Sequence, residues 1–148
     1  MITPYIDHIG IIVADLDQAA AKLRPLFGEP VRIKDLPEAG LRVAEFQAAN
    51  VMIELLQYTA GNSDFARRVM GERVGLNHIS ARVGDVDRSI AELSAAGYAP
   101  MEGFPRQGAH GRVAFFEPDS LTGLLFEVCQ PDVPVPPRDG DDHGHGHR

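Results

Sequence analysis

The sequence has little cysteine and a shortage of basic residues, and both features exclude classes of protein. Its 148 residues include one cysteine, Cys129, so no disulfide can form within the chain. Because Cys129 lies in an apolar stretch, we expect a buried, unreactive thiol. The 21 acidic residues outnumber the 14 basic ones and give a net charge of −7, the wrong sign for neutralising nucleic-acid phosphates. Nucleic-acid binding is therefore not expected.

Long hydrophobic runs are also missing. No apolar stretch approaches the ~20 residues that a bilayer span requires, and the opening MITPYIDHIG has no basic segment followed by a hydrophobic one. We therefore expect a cytoplasmic protein without a membrane partner. The remaining composition, 44% hydrophobic and 24% charged, is ordinary for one globular domain, which we place at residues 1–130. Residues 131–148 are rich in proline, glycine and charge and predict a disordered tail, whose histidines could bind metal weakly: His143, His145 and His147.

An internal repeat divides this domain into two similar modules. DHIGIIVADLDQAAAKL aligns with NHISARVGDVDRSIAEL at an offset of 70 residues, which places His8 on His78. Further along, Glu54 aligns with Glu127 at an offset of 73, so three residues are inserted in the second copy. A period this long, with both strand-like and helix-like segments, indicates two copies of one folding unit rather than a solenoid.

Each copy has the pattern of a βαβββ module. In the first, Asp15 can cap a helix that ends at Gly28; in the second, Asp85 and Gly97 take these places. We expect strands near 6–13, 31–36, 41–48 and 51–57, then near 78–83, 101–104, 112–117 and 124–130. The predicted fold class is α+β, with modules at about 5–58 and 76–130 and a linker at 62–75 that contains a short helix at 64–71.

Four polar side chains at matching places predict a metal site. Strand side chains alternate between faces, so His8 and His78 point away from the face that the helices cover. Glu54 and Glu127 each interrupt an apolar strand, where a carboxylate is costly unless it is paired or bound to a metal. The pseudo-twofold repeat would bring the four together as nitrogen and oxygen ligands of a divalent ion, with Co²⁺, Mn²⁺, Ni²⁺ and Zn²⁺ all suitable.

The module openings DHIGIIVADLDQA and LNHISARVGDVD resemble those of the vicinal oxygen chelate superfamily, which includes glyoxalases, bleomycin-resistance proteins and dioxygenases, and the resemblance covers residues 6–130. It implies that the two modules form a curled, eight-stranded mixed sheet around one metal ion, which chelates two neighbouring oxygens of the substrate. Three segments, GLNHISARVGDVD, RQGAHGRVAFFEPDSLTGLLFEVCQ and NSDFARRV, are similar to methylmalonyl-CoA epimerases. That similarity implies the same four ligands, an acyl-CoA substrate and a homodimer.

The implied chemistry is epimerisation at the carbon alpha to a thioester. A metal-bound thioester oxygen favours loss of the alpha proton, and reprotonation from the opposite face completes the reaction. We expect Glu127 to be both a ligand and the base on one face. The glutamate that some epimerases use on the other face falls on Val43 here, so the second acid could instead be Glu45 or Glu54.

Substrate contacts are expected from a loop and from one arginine. The loop GFPRQGAHG resembles the family segment that closes over the substrate, and its backbone amides suit a carboxylate. This predicts contacts from Gly108, Ala109, His110 and Gly111. Arg82 shares the strand face of His78 and could meet an anionic group.

Two departures leave the substrate open. Asn77 and Glu117 stand where many epimerases have histidine, so a relative acting on another substrate would carry the same metal site. A glyoxalase I (lactoylglutathione lyase), which uses the same ligand arrangement on a hemithioacetal, is the closest alternative. Against it, KLRPLF and EPDSLTG replace the patterns usual in its first helix and before its last strand. A ring-cleaving dioxygenase would not need Glu54 as an extra ligand, and metal-free antibiotic binders of this fold lack the four ligands together.

Overall fold

The two repeats fold into the same succession of elements, as the sequence predicted. The structure, a computed structural model, describes residues 4–133. The first module consists of β1 (Tyr5–Ile12), α1 (Leu16–Phe27), β2 (Arg32–Leu36), β3 (Leu41–Gln47) and β4 (Met52–Tyr58). After the linker helix α2 (Asp64–Met70), the second module consists of β5 (Gly75–Arg82), α3 (Val86–Ala95), β6 (Arg106–Gln107), β7 (Gly111–Phe116) and β8 (Phe126–Pro131).

All eight strands belong to one mixed sheet in the order β2-β3-β4-β1-β5-β8-β7-β6. The modules join through the antiparallel pair β1–β5, and each first strand is parallel to the last strand of its own module. The sheet is so strongly curled that its two edges come into contact. Lys34 on β2, at one edge, donates a hydrogen bond to the carbonyl of Ala109, just before β7 near the other edge. The predicted α+β fold with a curled eight-stranded sheet is thus confirmed.

The helices cover the outer face of the sheet. In the first module Leu16 and Ala20 of α1 pack against Ala44, Phe46 and Leu55 of β3 and β4. The second module has the equivalent contact, in which α3 packs on β7 and β8 through Val86, Ala114, Phe116 and Val128. Since alternate strand residues point to opposite faces, the intervening side chains are directed into the hollow of the curl.

Both main helices begin in the same way. The carboxylates of Asp15 and Asp85 accept hydrogen bonds from the backbone N–H groups three residues later, at 3.0 and 3.1 Å. The first N–H of each helix is satisfied from the sheet instead: Leu16 donates to Oε1 of Gln57 at 2.7 Å. Its counterpart in α3, Val86, donates to Oε1 of Gln130 at 3.0 Å. The repeated glutamines therefore fasten each helix to the last strand of its module.

The sixth strand lies elsewhere than predicted. We expected it at 101–104, but the strand is Arg106–Gln107. The chain before it forms an isolated bridge from Pro100 to Phe116, with hydrogen bonds from Met101 N to Phe115 O and from Glu117 N to Ala99 O. The chain turns at Gly103, whose φ of 94° few other residues adopt, and Pro105 has no N–H to donate to a ladder. Strand pairing therefore resumes only beyond the proline.

At the C-terminal end of the domain, β8 continues through Pro131, the residue at which the sequence placed the start of the tail. The remaining tail, residues 134–148 with its three histidines, lies outside the described residues. Within residues 4–133, no helix combines the length and the apolar character that crossing a bilayer demands.

Replacing either capping glutamine should destabilise the fold. In Gln57→Leu and Gln130→Leu, a partly buried N–H loses its acceptor, so we expect the free energy of unfolding to fall by about 1–2 kcal/mol in each variant. Urea denaturation measures this. The control is Gln47→Leu, whose exposed amide donates to the neighbouring carbonyl of Ala48 and which should change stability by less than about 0.5 kcal/mol. Equal losses in all three variants would contradict the capping role.

Candidate metal centre

The four predicted ligand residues meet in the middle of the sheet. His8 lies on β1 and His78 on β5, while Glu54 and Glu127 lie on the strands that flank this central pair. In the strand register Gly10 lies opposite both His78 and Glu54, so the position between them carries no side chain. All four side chains are buried, and all four point into the hollow of the curl.

Their donor atoms lie close together. Nε2 of His8 is 2.9 Å from Oε1 of Glu127 and 3.7 Å from Oε1 of Glu54. Nε2 of His78 is 3.9 Å from the same Glu127 oxygen. The rings of the two histidines are nearly perpendicular, with centroids 5.5 Å apart. The side chains that the alignment of the two repeats predicted to converge therefore do lie close together in the structure.

Each histidine is oriented by the residue that precedes it. Nδ1 of His8 lies 2.8 Å from Oδ2 of Asp7, and Nδ1 of His78 lies 2.8 Å from Oδ1 of Asn77. With Nδ1 held by an oxygen, Nε2 of each ring is directed towards the centre, where it would bind a metal ion in its deprotonated form, the usual arrangement of metal-bound histidine. Sequence reasoning treated Asn77 only as a departure from the epimerases and did not consider Asp7. Asp7 and Asn77 occupy equivalent positions of the two repeats, each directly before a predicted histidine ligand, and this pattern could have identified them.

The centre fits a divalent ion because several of its inward atoms are poorly satisfied by the protein. Among the described residues, Nε2 of His78 and Oε2 of Glu54 are buried without a partner in hydrogen-bonding geometry, and Oε1 of Glu127 faces Nε2 of His8 at 2.9 Å. A buried polar atom without a partner is costly, and a metal ion would satisfy all three. The imidazole and carboxylate donors suit the first-row divalent ions named from the sequence.

The electrostatics of the centre are dominated by burial and by the two carboxylates. Burial lowers the pKa of His78 to about 4 and leaves this ring neutral, the form that binds a metal. At His8 burial acts in the same direction, but the charges of Glu54 and Glu127 outweigh it and hold the pKa well above its usual range. Burial raises the pKa of Glu54, whereas the charge of His8 outweighs burial at Glu127 and lowers the pKa there. The carboxylates thus create a field that favours a cation.

A second polar cluster surrounds His110, beside the first. Nε2 of this imidazole lies 2.7 Å from Oδ2 of Asp7 and 3.8 Å from Sγ of Cys129. Its Nδ1 lies 3.2 Å from Oε2 of Glu45 and 3.9 Å from Oε2 of Glu54. Cys129 is fully buried, as predicted, and burial raises the pKa of its thiol. Sequence reasoning placed His110 in a substrate loop and missed its contacts with these carboxylates.

A cavity of about 380 Å³ opens onto three of the four candidate ligands. Glu54, His78 and Glu127 line one part of it, and Gly108 and Ala109 of the predicted substrate loop line another. The other residues predicted for substrate or proton transfer are not among the described lining residues: Glu45, Arg82, His110 and Gly111. The guanidinium carbon of Arg82 instead lies 4.7 Å from the ring centroid of Tyr5.

Two βαβββ modules curled around paired histidines and glutamates define a vicinal oxygen chelate fold. The sequence pattern of the Glyoxalase/Bleomycin resistance protein/Dioxygenase superfamily matches residues 7–116, and the chain belongs to that superfamily.

Several other proteins are similar to this chain along most of their length. An ethylmalonyl-CoA/methylmalonyl-CoA epimerase from Cereibacter sphaeroides is 33% identical over 129 residues, covering 84% of this chain and 96% of the relative. The uncharacterized protein YqjC of Bacillus subtilis is 30% identical over 128 residues, with 85% and 91% covered. A solved methylmalonyl-CoA epimerase in complex with methylmalonyl-CoA and NH4+ has a TM-score of 0.75 and 28% identity, over 90% of this chain and 99% of that one.

A methyl group at Gly10 should disturb the centre without reaching the hydrophobic core. A Cβ built there overlaps the imidazole of His78, so Gly10→Ala has to displace this ring from its position. We expect the affinity for Co²⁺ or Zn²⁺ to fall by at least about tenfold, as for other displaced ligands, in a competition titration against a chromophoric chelator. The control is Gly84→Ala, where an added Cβ meets no atom of residues 4–133 within 4 Å. Wild-type affinity in Gly10→Ala would place the metal elsewhere.

Proposed function

We propose that this protein is a metal-dependent epimerase of a 2-substituted malonyl-type acyl-CoA, similar to methylmalonyl-CoA epimerase. One observation carries the proposal: two buried carboxylates and a neutral imidazole face a single cavity at the point where the two modules meet. The named epimerase relatives support the acyl-CoA class of substrate. A homodimer and a cytoplasmic location stay predictions from the resemblance and the composition.

In this proposal His8, Glu54, His78 and Glu127 hold a divalent ion such as Co²⁺, Mn²⁺, Ni²⁺ or Zn²⁺. When bound, such an ion supplies a positive charge that polarises the thioester carbonyl and orients a neighbouring carboxylate oxygen. The protein's own contribution is to exclude water and to fix the ligands. Asp7 serves the second purpose by holding His8 in one orientation.

Proton transfer requires a group on each face of the reacting carbon. Glu54 and Glu127 come from strands on opposite sides of the central β1–β5 pair, and both line the cavity. Glu127 is our proposed base on one face, and Glu54 our proposed acid on the other. Glu45, the alternative acid, is fully buried and lies against His110 instead of the cavity. Val43 packs in a hydrophobic cluster with Leu41 and is unable to transfer a proton.

Solvent-deuterium exchange at the alpha carbon of methylmalonyl-CoA, followed by NMR, tests the function. We expect exchange by the metal-loaded protein and none after chelation. In Glu127→Gln, exchange of the epimer whose alpha proton faces Glu127 should fall by at least about 10³-fold, because the amide is unable to accept that proton. Glu92→Gln, an exposed carboxylate on α3, is the control and should behave as wild type. Near-normal exchange of both epimers in Glu127→Gln would refute the base. Metal binding without any exchange would redirect the search to hemithioacetals.

The second acid can be identified by separating exchange from inversion. In Glu54→Gln the epimer whose proton faces Glu127 should still exchange deuterium, while its conversion to the other epimer should slow by at least about a hundredfold. NMR exchange and a chiral assay of the product, run on each epimer, measure the two rates. Glu45→Gln should invert normally if Glu54 is the acid. The reverse result, inversion lost only in Glu45→Gln, would transfer the role to Glu45.

A further inference from the structure

Within the described part of the chain, two arginines near the cavity have no carboxylate partner, although the chain is acidic. Six arginines of the described chain lie within ion-pair distance of an acidic group: Arg24, Arg32, Arg42, Arg67, Arg88 and Arg112. Arg68 and Arg106 have no such contact within residues 4–133. In a molecule of net charge −7, a guanidinium left unpaired is available to an anion from solution.

Both of these guanidinium groups lie on one aromatic ring. The guanidinium carbon of Arg106 is 3.9 Å, and that of Arg68 5.0 Å, from the centroid of Phe65. Phe65 and Arg68 belong to the linker helix α2, whereas Arg106 belongs to β6 of the second module. The arrangement thus joins two segments that are distant in sequence, and it exists only in the folded protein.

A row of aromatic rings connects this pair to the metal centre. Centroid distances are 4.9 Å from His78 to Phe115, 5.6 Å from Phe115 to Phe104 and 5.5 Å from Phe104 to Phe65. All of these rings line the cavity, and Arg106 is the one lysine or arginine among its lining residues in the described chain. A ligand held at the metal would therefore reach the arginines by extending along an apolar wall.

We infer that Arg68 and Arg106 form a subsite for the phosphate groups of the nucleotide half of an acyl-CoA. The inference rests on the proposed function, and it adds a binding place for the nucleotide end of the substrate. At about 380 Å³ the cavity is at the small end of the range for ligand pockets, roughly 300–1,000 Å³. The acyl group and the pantetheine arm beyond the thioester fill such a space, and the phosphates stay at its mouth. Guanidinium groups are well suited to phosphate because they donate two parallel hydrogen bonds.

The first test compares two thioesters of one acyl group, the CoA thioester and the pantetheine thioester, which has no nucleotide. In Arg68→Ala and in Arg106→Ala, we expect the ratio of kcat/KM for CoA to kcat/KM for pantetheine to fall about tenfold, the worth of one charge-assisted hydrogen bond. Arg88→Ala, a paired arginine on α3, is the control and should keep the wild-type ratio. An unchanged ratio in the double variant would overturn the subsite.

The second test needs no turnover. 3′-Phosphoadenosine 5′-diphosphate, the nucleotide end of CoA, is titrated into the metal-loaded protein by calorimetry. We expect binding that weakens with added salt and falls about tenfold in Arg106→Ala. Equal affinity in wild type and variant would overturn the subsite, even in a protein that epimerises acyl-CoA. Arginine-dependent binding without alpha-proton exchange would support the subsite while refuting the epimerase activity.

Discussion

The antiparallel pairing of β1 with β5 is the contact on which the rest of the structure depends. It places His8 opposite Ser80 and His78 opposite Gly10, and so sets the spacing of the two imidazoles. The flanking strands then bring in one glutamate from each side. A slip of either strand by one residue would turn the histidine of that strand towards the helices and its apolar side chains towards the cavity. One register thus specifies both the hydrophobic packing and the candidate metal centre.

The cost of this arrangement is the burial of several like charges. Asp7, Glu45, Glu54 and Glu127 all lie inside the curl, where an isolated carboxylate is strongly unfavourable. The compensation is divided. His110 lies against Asp7 and Glu45, away from the cavity, while a divalent ion would neutralise the two carboxylates that face it. The structural charges are thus balanced within the chain, and those with a proposed catalytic role are left for a ligand.

Repetition made much of this predictable. The order of elements, both helix caps and the convergence of four ligands follow from segments that occur twice, because each copy confirms the interpretation of the other. Features that occur in only one of the two copies were harder to predict from the sequence. The sixth strand was misplaced because Gly103 and Pro105 have no counterpart pattern in the first module. The contact between His110 and Asp7 joins positions 103 residues apart and follows from curling of the sheet, which local periodicity does not encode.

The linker helix α2 has a consequence for how such a molecule evolves. Duplication of one module produces two equal halves, and a binding site made from equal halves is nearly symmetric, as the paired ligands are. A substrate has two different ends, and a segment that was not duplicated can distinguish them. α2 is such a segment: it lies between the repeats and contributes Phe65, Ala66, Val69 and Met70 to the cavity. Divergence among relatives in what they bind should therefore be concentrated in this connection, while the two halves preserve the chemistry.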